Sequence, residues 1–244
     1  MSENSECPRY RVGITFNLKQ KKDDENEDEQ AEYDSIGTIE AISEAIGKTG
    51  CETIFLEADT SLPQKLQNLN PDIVFNIAEG KGGRGREAQV PSILNLYSIP
   101  FTGSDETTLC VALDKGLTKR IVKSCRIKTP VFFVWKNKDT EIPANLRFPV
   151  IVKPNAEGSS KGILGNTIAG SRKELINLLH EKLDRYNQPL LIEEYIQGRE
   201  FTVGILGNGS EKHIFRPMEI IISPEGNPDK SKVYSFHVKT NYQK

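Results

Sequence analysis

The chain has 244 residues, 36% of them hydrophobic and 27% charged, with a formal net charge of −2. That length suits one large domain or two small ones. The near-neutral balance excludes recognition of nucleic acid or of an acidic membrane surface by net charge, and no run of about 18 apolar residues marks a membrane span. The first residues, Met1-Ser2-Glu3-Asn4-Ser5-Glu6, are polar and acidic rather than signal-like. The cysteines Cys7, Cys51, Cys110 and Cys125 show no CxxC spacing, so reduced thiols of a cytoplasmic protein are expected.

Tyr10 to Phe16 alternates as a strand. The segment 19–32 that follows is dominated by charge and has no apolar periodicity, so a solvated acidic loop is expected. Asp34-Ser35 can cap a helix striped by Ile36, Ile39, Ile42 and Ile46, with Gly50 as its stop. Thr53 to Leu56 reads as a strand, Leu62 to Leu69 as a helix and Asp72 to Asn76 as a third strand. This alternation predicts a parallel α/β unit whose ligand edge lies where the strands end, near Asn76 to Glu87. Gly80-Lys81-Gly82-Gly83-Arg84-Gly85-Arg86-Glu87 lies there. Four glycines and three cations in eight residues describe either an anion cradle or a solvated loop. It is not a dinucleotide fingerprint, because no GxGxxG follows the first strand.

Helices are predicted over Pro91 to Tyr97, from a Ser104 cap through Ala112, and from an Asp114 cap over Lys115 to Cys125. A strand follows at Val131 to Trp135. From Phe148 the texture changes to short strands (Val150 to Val152, Leu190 to Tyr195, Phe201 to Leu206, His213 to Ile222) around one helix, Ser171 to Arg185. Gly207-Asn208-Gly209-Ser210 reads as a hairpin turn. This half is expected to be an antiparallel sheet carrying a helix.

Lys153 interrupts an apolar strand. Burying it costs several kcal/mol, on the order of the penalty for any unpaired charge, unless it meets an anion. Either a nucleotide phosphate or escape of the ammonium group to water answers that cost. Gly158-Ser159-Ser160-Lys161-Gly162 follows. Its glycines admit backbone N–H groups close to phosphate oxygens, and its hydroxyls add donors. Glu193-Glu194 sits in a second apolar strand, where alternation puts the two on opposite faces. A carboxylate there can accept from an adenine amino group, and Glu200 can accept from ribose hydroxyls; exposed strand glutamates are the plainer reading. As an ordered set, lysine strand, small-residue loop and carboxylate strand point to ATP.

With these segments in this order the chain resembles the ATP-grasp ligases, and among them the D-alanine–D-alanine ligases. The matching stretches are Phe101-Thr102-Gly103-Ser104, Leu113-Asp114-Lys115, Phe148 to Pro154, Glu157-Gly158-Ser159-Ser160, Leu191-Ile192-Glu193 and Gly198 to Val203, and the likeness runs from about Arg11 to Lys239. The resemblance implies an α/β fold: a parallel α/β amino-terminal (pre-ATP-grasp) domain over 1–107, then an incomplete ATP-grasp α+β domain over 108–244. It implies ATP contacts at Lys115 and Lys153, a loop of Glu157, Ser159 and Ser160 over the phosphates, adenine contact at Glu193 with Glu194, Tyr195 and Ile196 along the hinge, and ribose contact at Glu200. Lys239 falls where the family has a mobile loop closing over the site, and is the catalytic candidate. The implied partners are ATP and small amino acids, the implied metal is Mg2+, and a homodimer is a family expectation. The implied reaction joins two amino acids through an acylphosphate, as in making a peptidoglycan precursor.

The chain departs from the family at three places, the first two bearing on substrate and the third on the metal. Asn17-Leu18-Lys19 stands where the ligases have Gly-Gly-x-Ser and a nearby glutamate, with Glu32 or Asp34 as stand-ins. Glu79-Gly80 replaces a His-Gly pair. The family's Asp…Glu-x-Asn metal set has no counterpart up to Lys244; Glu225 and Asp229 read as loop polars, so no metal ligand is assigned. The chain thus reads as the amino-terminal two-thirds of a ligase-like protein, with a related ligase for another carboxylate and a non-catalytic ATP-binding module as alternatives. The three histidines, His180, His213 and His237, read as structural or exposed, His237 being the one beside Lys239.

Overall fold

The computed structural model describes residues 10–20, 28, 30–163 and 167–221. It divides into two compact units, 1–121 and 122–244. The division falls later than the expected 107/108 boundary, within the helix that begins at Lys115.

In the first unit β1 (Arg11–Phe16) runs between β2 (Glu52–Glu57) and β3 (Ile73–Asn76), all parallel, in the order β2-β1-β3. The central strand has five consecutive buried residues, as a strand covered on both faces must. One face is closed by α1 (Ile36–Gly47), which sets Ile39, Ile42 and Ile46 against Ile14, Phe16 and Phe75. Ile36, the first of the predicted stripe, is exposed. The other face is closed by α2 (Leu62–Leu69) and α3 (Gln89–Leu96), whose Leu62, Leu66, Val90 and Leu94 pack with Leu56 and Val74. Ser35 caps α1 as its hydroxyl accepts from Thr38 N–H. The next helix, α4 (Glu106–Leu113), is capped by Asp105, one residue after the predicted Ser104: its carboxylate accepts from Thr108 N–H at 2.7 Å. The Asp114 carboxylate accepts from Leu117 N–H at 2.9 Å and so opens α5 (Lys115–Ser124).

The second unit holds a four-stranded antiparallel sheet, ordered β4 (Phe132–Trp135), β7 (Leu190–Glu194), β5 (Val150–Pro154), β6 (Ile168–Ala169). The two-residue β6 is too short to leave a sequence signal. Helix α6 (Arg172–Tyr186) covers one face: Leu175, Leu178 and Leu179 meet Trp135, Val150, Val152, Leu190 and Ile192. Each such leucine, when fully buried, contributes about 1.5–3 kcal/mol.

Beyond β7 the two long predicted strands are each divided. β8 (Glu200–Thr202) pairs with β11 (Met218–Ile220), while β9 (Ile205–Leu206) pairs with β10 (His213–Ile214). Pro217 lacks the N–H that would carry β10 into β11. The hairpin at Gly207 to Ser210 is present, closed by a 3-10 turn at Gly209–Glu211. The greater part of the acidic loop, and Glu225, Asp229, His237 and Lys239, lie outside the described residues. Among those described, no helix is long and apolar enough to cross a membrane.

Candidate nucleotide and substrate sites

The faces of the second sheet follow from the pleat. Val150, Val152, Leu190 and Ile192 point to α6, so Ile151, Lys153, Leu191 and Glu193 lie on the opposite face. Register sets Lys153 opposite Leu191, which makes Glu193 its diagonal neighbour. The two side chains meet as an ion pair, 21% and 10% exposed. The anion that Lys153 meets within the protein is therefore a carboxylate from the neighbouring strand. A nucleotide phosphate would join or replace it. Glu194 points to the other face, as alternation requires, and is exposed at the end of β7.

Lys153 feeds into the loop 155–163. The Glu157 carboxylate lies 3.3 Å from the Lys161 ammonium and accepts from the Gln188 amide at 2.6 Å. Ser159 and Ser160 both have positive φ, 45° and 59°. Residues with a Cβ rarely adopt that region, and consecutive left-handed residues re-aim backbone N–H groups in a way suited to anions. Tyr195 N–H donates to Pro149 O at 3.0 Å and fixes the segment after β7 against the approach to β5. Ile196 is exposed, and Glu200 is partly buried at the start of β8. Lys115 belongs to the first unit, at the first turn of α5, partly buried. Lys153, Glu157, Ser159, Ser160, Glu193, Glu194, Tyr195, Ile196 and Glu200 all belong to the second.

The first unit carries its own polar centre at the strand ends. The buried Asn17 amide donates to Ala58 O, and its oxygen accepts from Glu79 N–H at 2.9 Å and Gly80 N–H at 2.8 Å. One side chain thus ties together the ends of β1, β2 and β3. The carboxylates of Glu32, Glu79 and Glu87 converge there within 4.8 Å of one another. Arg86, 6% exposed, donates to Glu32. Burial, then the charges of Glu32 and Glu87, push the Glu79 carboxyl up to about 7 against the pull of Arg86. Burial also raises Asp34. Of the three cations in the glycine-rich loop, Arg86 is engaged by Glu32 and Arg84 lies 3.4 Å from Asp114. The loop is a structural one in good part: a Cβ on Gly80, φ +72°, would stand 2.0 Å from Arg86 O.

Sequence reasoning did not find the Glu32–Arg86 pair, whose members are 54 residues apart. It offered Glu32 as a stand-in without a partner. For magnesium, this carboxylate trio is the only group of three suitable ligands among the described residues. Arg86 already supplies a cation to it, so the trio does not fit a resident metal.

Comparison with known proteins agrees with this architecture. Residues 130–244 match the family described as D-ala D-ala ligase C-terminus. The chain is 36% identical over 173 residues to the D-alanine–D-alanine ligase of Aquifex aeolicus, covering 70% of this chain and 57% of that one. It thus spans little more than half the length of that relative. Two solved structures share the fold at 21% identity: the VanG D-Ala:D-Ser ligase of Enterococcus faecalis, with TM-score 0.65 over 86% of this chain and 69% of that one, and the D-alanine–D-alanine ligase of Bacillus anthracis complexed with ATP, with TM-score 0.59 over 88% and 71%. Lysine strand, small-residue loop and carboxylate strand fall in the matched region, and the parallel unit precedes them as the shared fold requires. The chain is a D-alanine–D-alanine ligase-like protein of the ATP-grasp fold.

Proposed function

We propose that the protein acts as an ATP-dependent carboxylate–amine ligase that joins two amino acids, with D-alanine as the first substrate. The observation that carries this reading is the pairing of Lys153 with Glu193 on the sheet face opposite α6, immediately before the Ser159-Ser160 loop. Lys153 and Lys115 hold the phosphates of ATP, the loop of Glu157, Ser159 and Ser160 covers them, Glu193 receives the adenine amino group, Glu194, Tyr195 and Ile196 line the hinge, and Glu200 receives the ribose. Lys239 belongs to the segment that closes over the site.

The reaction transfers the γ-phosphoryl group to the first substrate's carboxylate and releases ADP. The amine of the second amino acid then attacks the acyl carbon, forming the C–N bond as phosphate leaves. Negative charge accumulates in the first step, and preorganised lysines stabilise it. Water exclusion protects the acylphosphate. No nucleophilic side chain is needed. Magnesium, which the family likeness implies, supplies further charge neutralisation at the phosphates when bound. A cytoplasmic location and a homodimeric state complete the proposal.

A second reading, a ligase for a different carboxylate, is favoured by the Glu32–Glu79–Glu87 cluster, where the likeness leads one to expect a histidine at Glu79. ADP release assays separate the two. Release that depends on D-alanine supports the first reading. Release with another amino or hydroxy acid, but not D-alanine, supports the second. ATP binding with no release for any acid leaves a nucleotide-binding module.

A further inference from the structure

Helix α6 carries a lysine where its leucine stripe calls for a fourth apolar residue. Leu175, Leu178, Leu179 and Lys182 are its buried residues, at the spacing of one helix face. Lys182 is 3% exposed. A lysine at such a position is destabilising unless the ammonium group is satisfied. Here it donates to Gly162 O at 2.7 Å. It also lies 6.0 Å from the centre of the Tyr186 ring.

Gly162 lies two residues past Ser160 in the loop that follows Lys153. With φ +82°, and Pro154 Cδ only 2.2 Å from where its Cβ would stand, only glycine fits there. Its carbonyl is thereby brought beneath α6. The start of the loop is held from the residues that follow the same helix. Gln188 accepts from Ala156 N–H at 2.9 Å and donates to Glu157 at 2.6 Å, and Pro189 O accepts from Asn155 N–H at 2.9 Å. Between the two anchors the loop folds into successive turns, with Lys161 N–H donating to Gly158 O and Ile163 N–H to Ser160 O. Ser159 and Ser160 sit at their centre in the left-handed conformation. Such a pair persists only where its surroundings over-determine it.

We infer that Lys182 and Gln188 are positioning residues that clamp this loop on either side of Ser159 and Ser160 and hold the two serines in the conformation that presents their N–H groups to a nucleotide's phosphates. Lys182 itself touches no ligand; it acts through Gly162. This rests on the reading of the loop as the phosphate site. A purely structural buried lysine would alter stability but would not separate phosphate affinity from base affinity.

The test compares ATP and adenosine binding by titration calorimetry on the full chain, in the native protein, in Lys182→Met and in Gln188→Ala. The clamp predicts that each variant loses about tenfold or more in ATP affinity while adenosine affinity changes less than about twofold. Lys182→Arg, which keeps a donor, recovers part of the loss. Should Lys182→Met fail to fold, the milder Gln188→Ala, at a partly buried site, decides alone. An ATP preference over adenosine that stays at the native level in the variants overturns the clamp. Equal weakening of both ligands overturns it as well. A native protein that binds ATP no better than adenosine overturns the phosphate-site reading itself, and the clamp with it.

Discussion

Glu79→Gln should stabilise the first unit, and only above about pH 5. The Glu79 carboxyl is held up to about 7 from an ordinary value of 4.5, chiefly by burial and by the neighbouring charges of Glu32 and Glu87. Below 4.5 both native and unfolded chains keep it protonated, and it has no effect on stability. Between 4.5 and 7 the unfolded chain ionises while the native one does not, so stability falls as pH rises. Above 7 the penalty is complete. At about 1.36 kcal/mol per pH unit the span corresponds to roughly 3.4 kcal/mol, and solvent reaching the partly buried carboxyl reduces that to about 1–2 kcal/mol. Glutamine keeps the shape and removes the charge. The assay is urea unfolding followed by hydrogen exchange at the amides of β1 and β3, for both proteins, from pH 4.5 to 8. The difference should be near zero at pH 4.5 and grow to about 1–2 kcal/mol in favour of the variant by pH 8. A difference that does not vary with pH refutes the reasoning, as does an NMR titration placing the Glu79 carboxyl near 4.5.

Two further substitutions test the packing that holds the sites. Gly80→Ala should cost about 2 kcal/mol or more, because the new Cβ meets the Arg86 carbonyl and the residue keeps a positive φ; thermal unfolding checks it, and a shift of under a degree would contradict the loop geometry. Leu179→Ala, at 1% exposure beneath the second sheet, should cost about 2–5 kcal/mol. The single tryptophan, Trp135, is buried in the same cluster, so its fluorescence reports that unfolding directly.

The elements whose signals are local were legible in the sequence. The period of the leucines gave α6, the alternation and parallel rhythm gave β1 to β3, and Asp114 was recognisable as a cap. That Glu193 and Glu194 face opposite sides of the sheet followed from the pleat alone; that Glu193 is the buried one did not. The rest depends on register and tertiary pairing. Nothing local says that Lys153 sits diagonal to Glu193, because that follows from pairing β5 with β7. Nothing local joins Glu32 to Arg86. The division of the strands beyond β7 had one readable cue, Pro217, and one hidden cause, the separate pairing of β8 with β11 and β9 with β10. Lys182 also left a signal: a lysine seven residues after Leu175 on a leucine face is out of place unless something accepts a hydrogen bond from it. Lys239 remains a proposal from the likeness alone.

The most direct test of the central claim is ATP titration of the native protein against Lys153→Met, which keeps the bulk of the side chain on the Glu193 face and removes its charge. The phosphate assignment predicts an affinity loss of about tenfold or more with adenosine binding retained. ATP affinity unchanged in the variant, with Trp135 fluorescence showing a folded second unit, would contradict it.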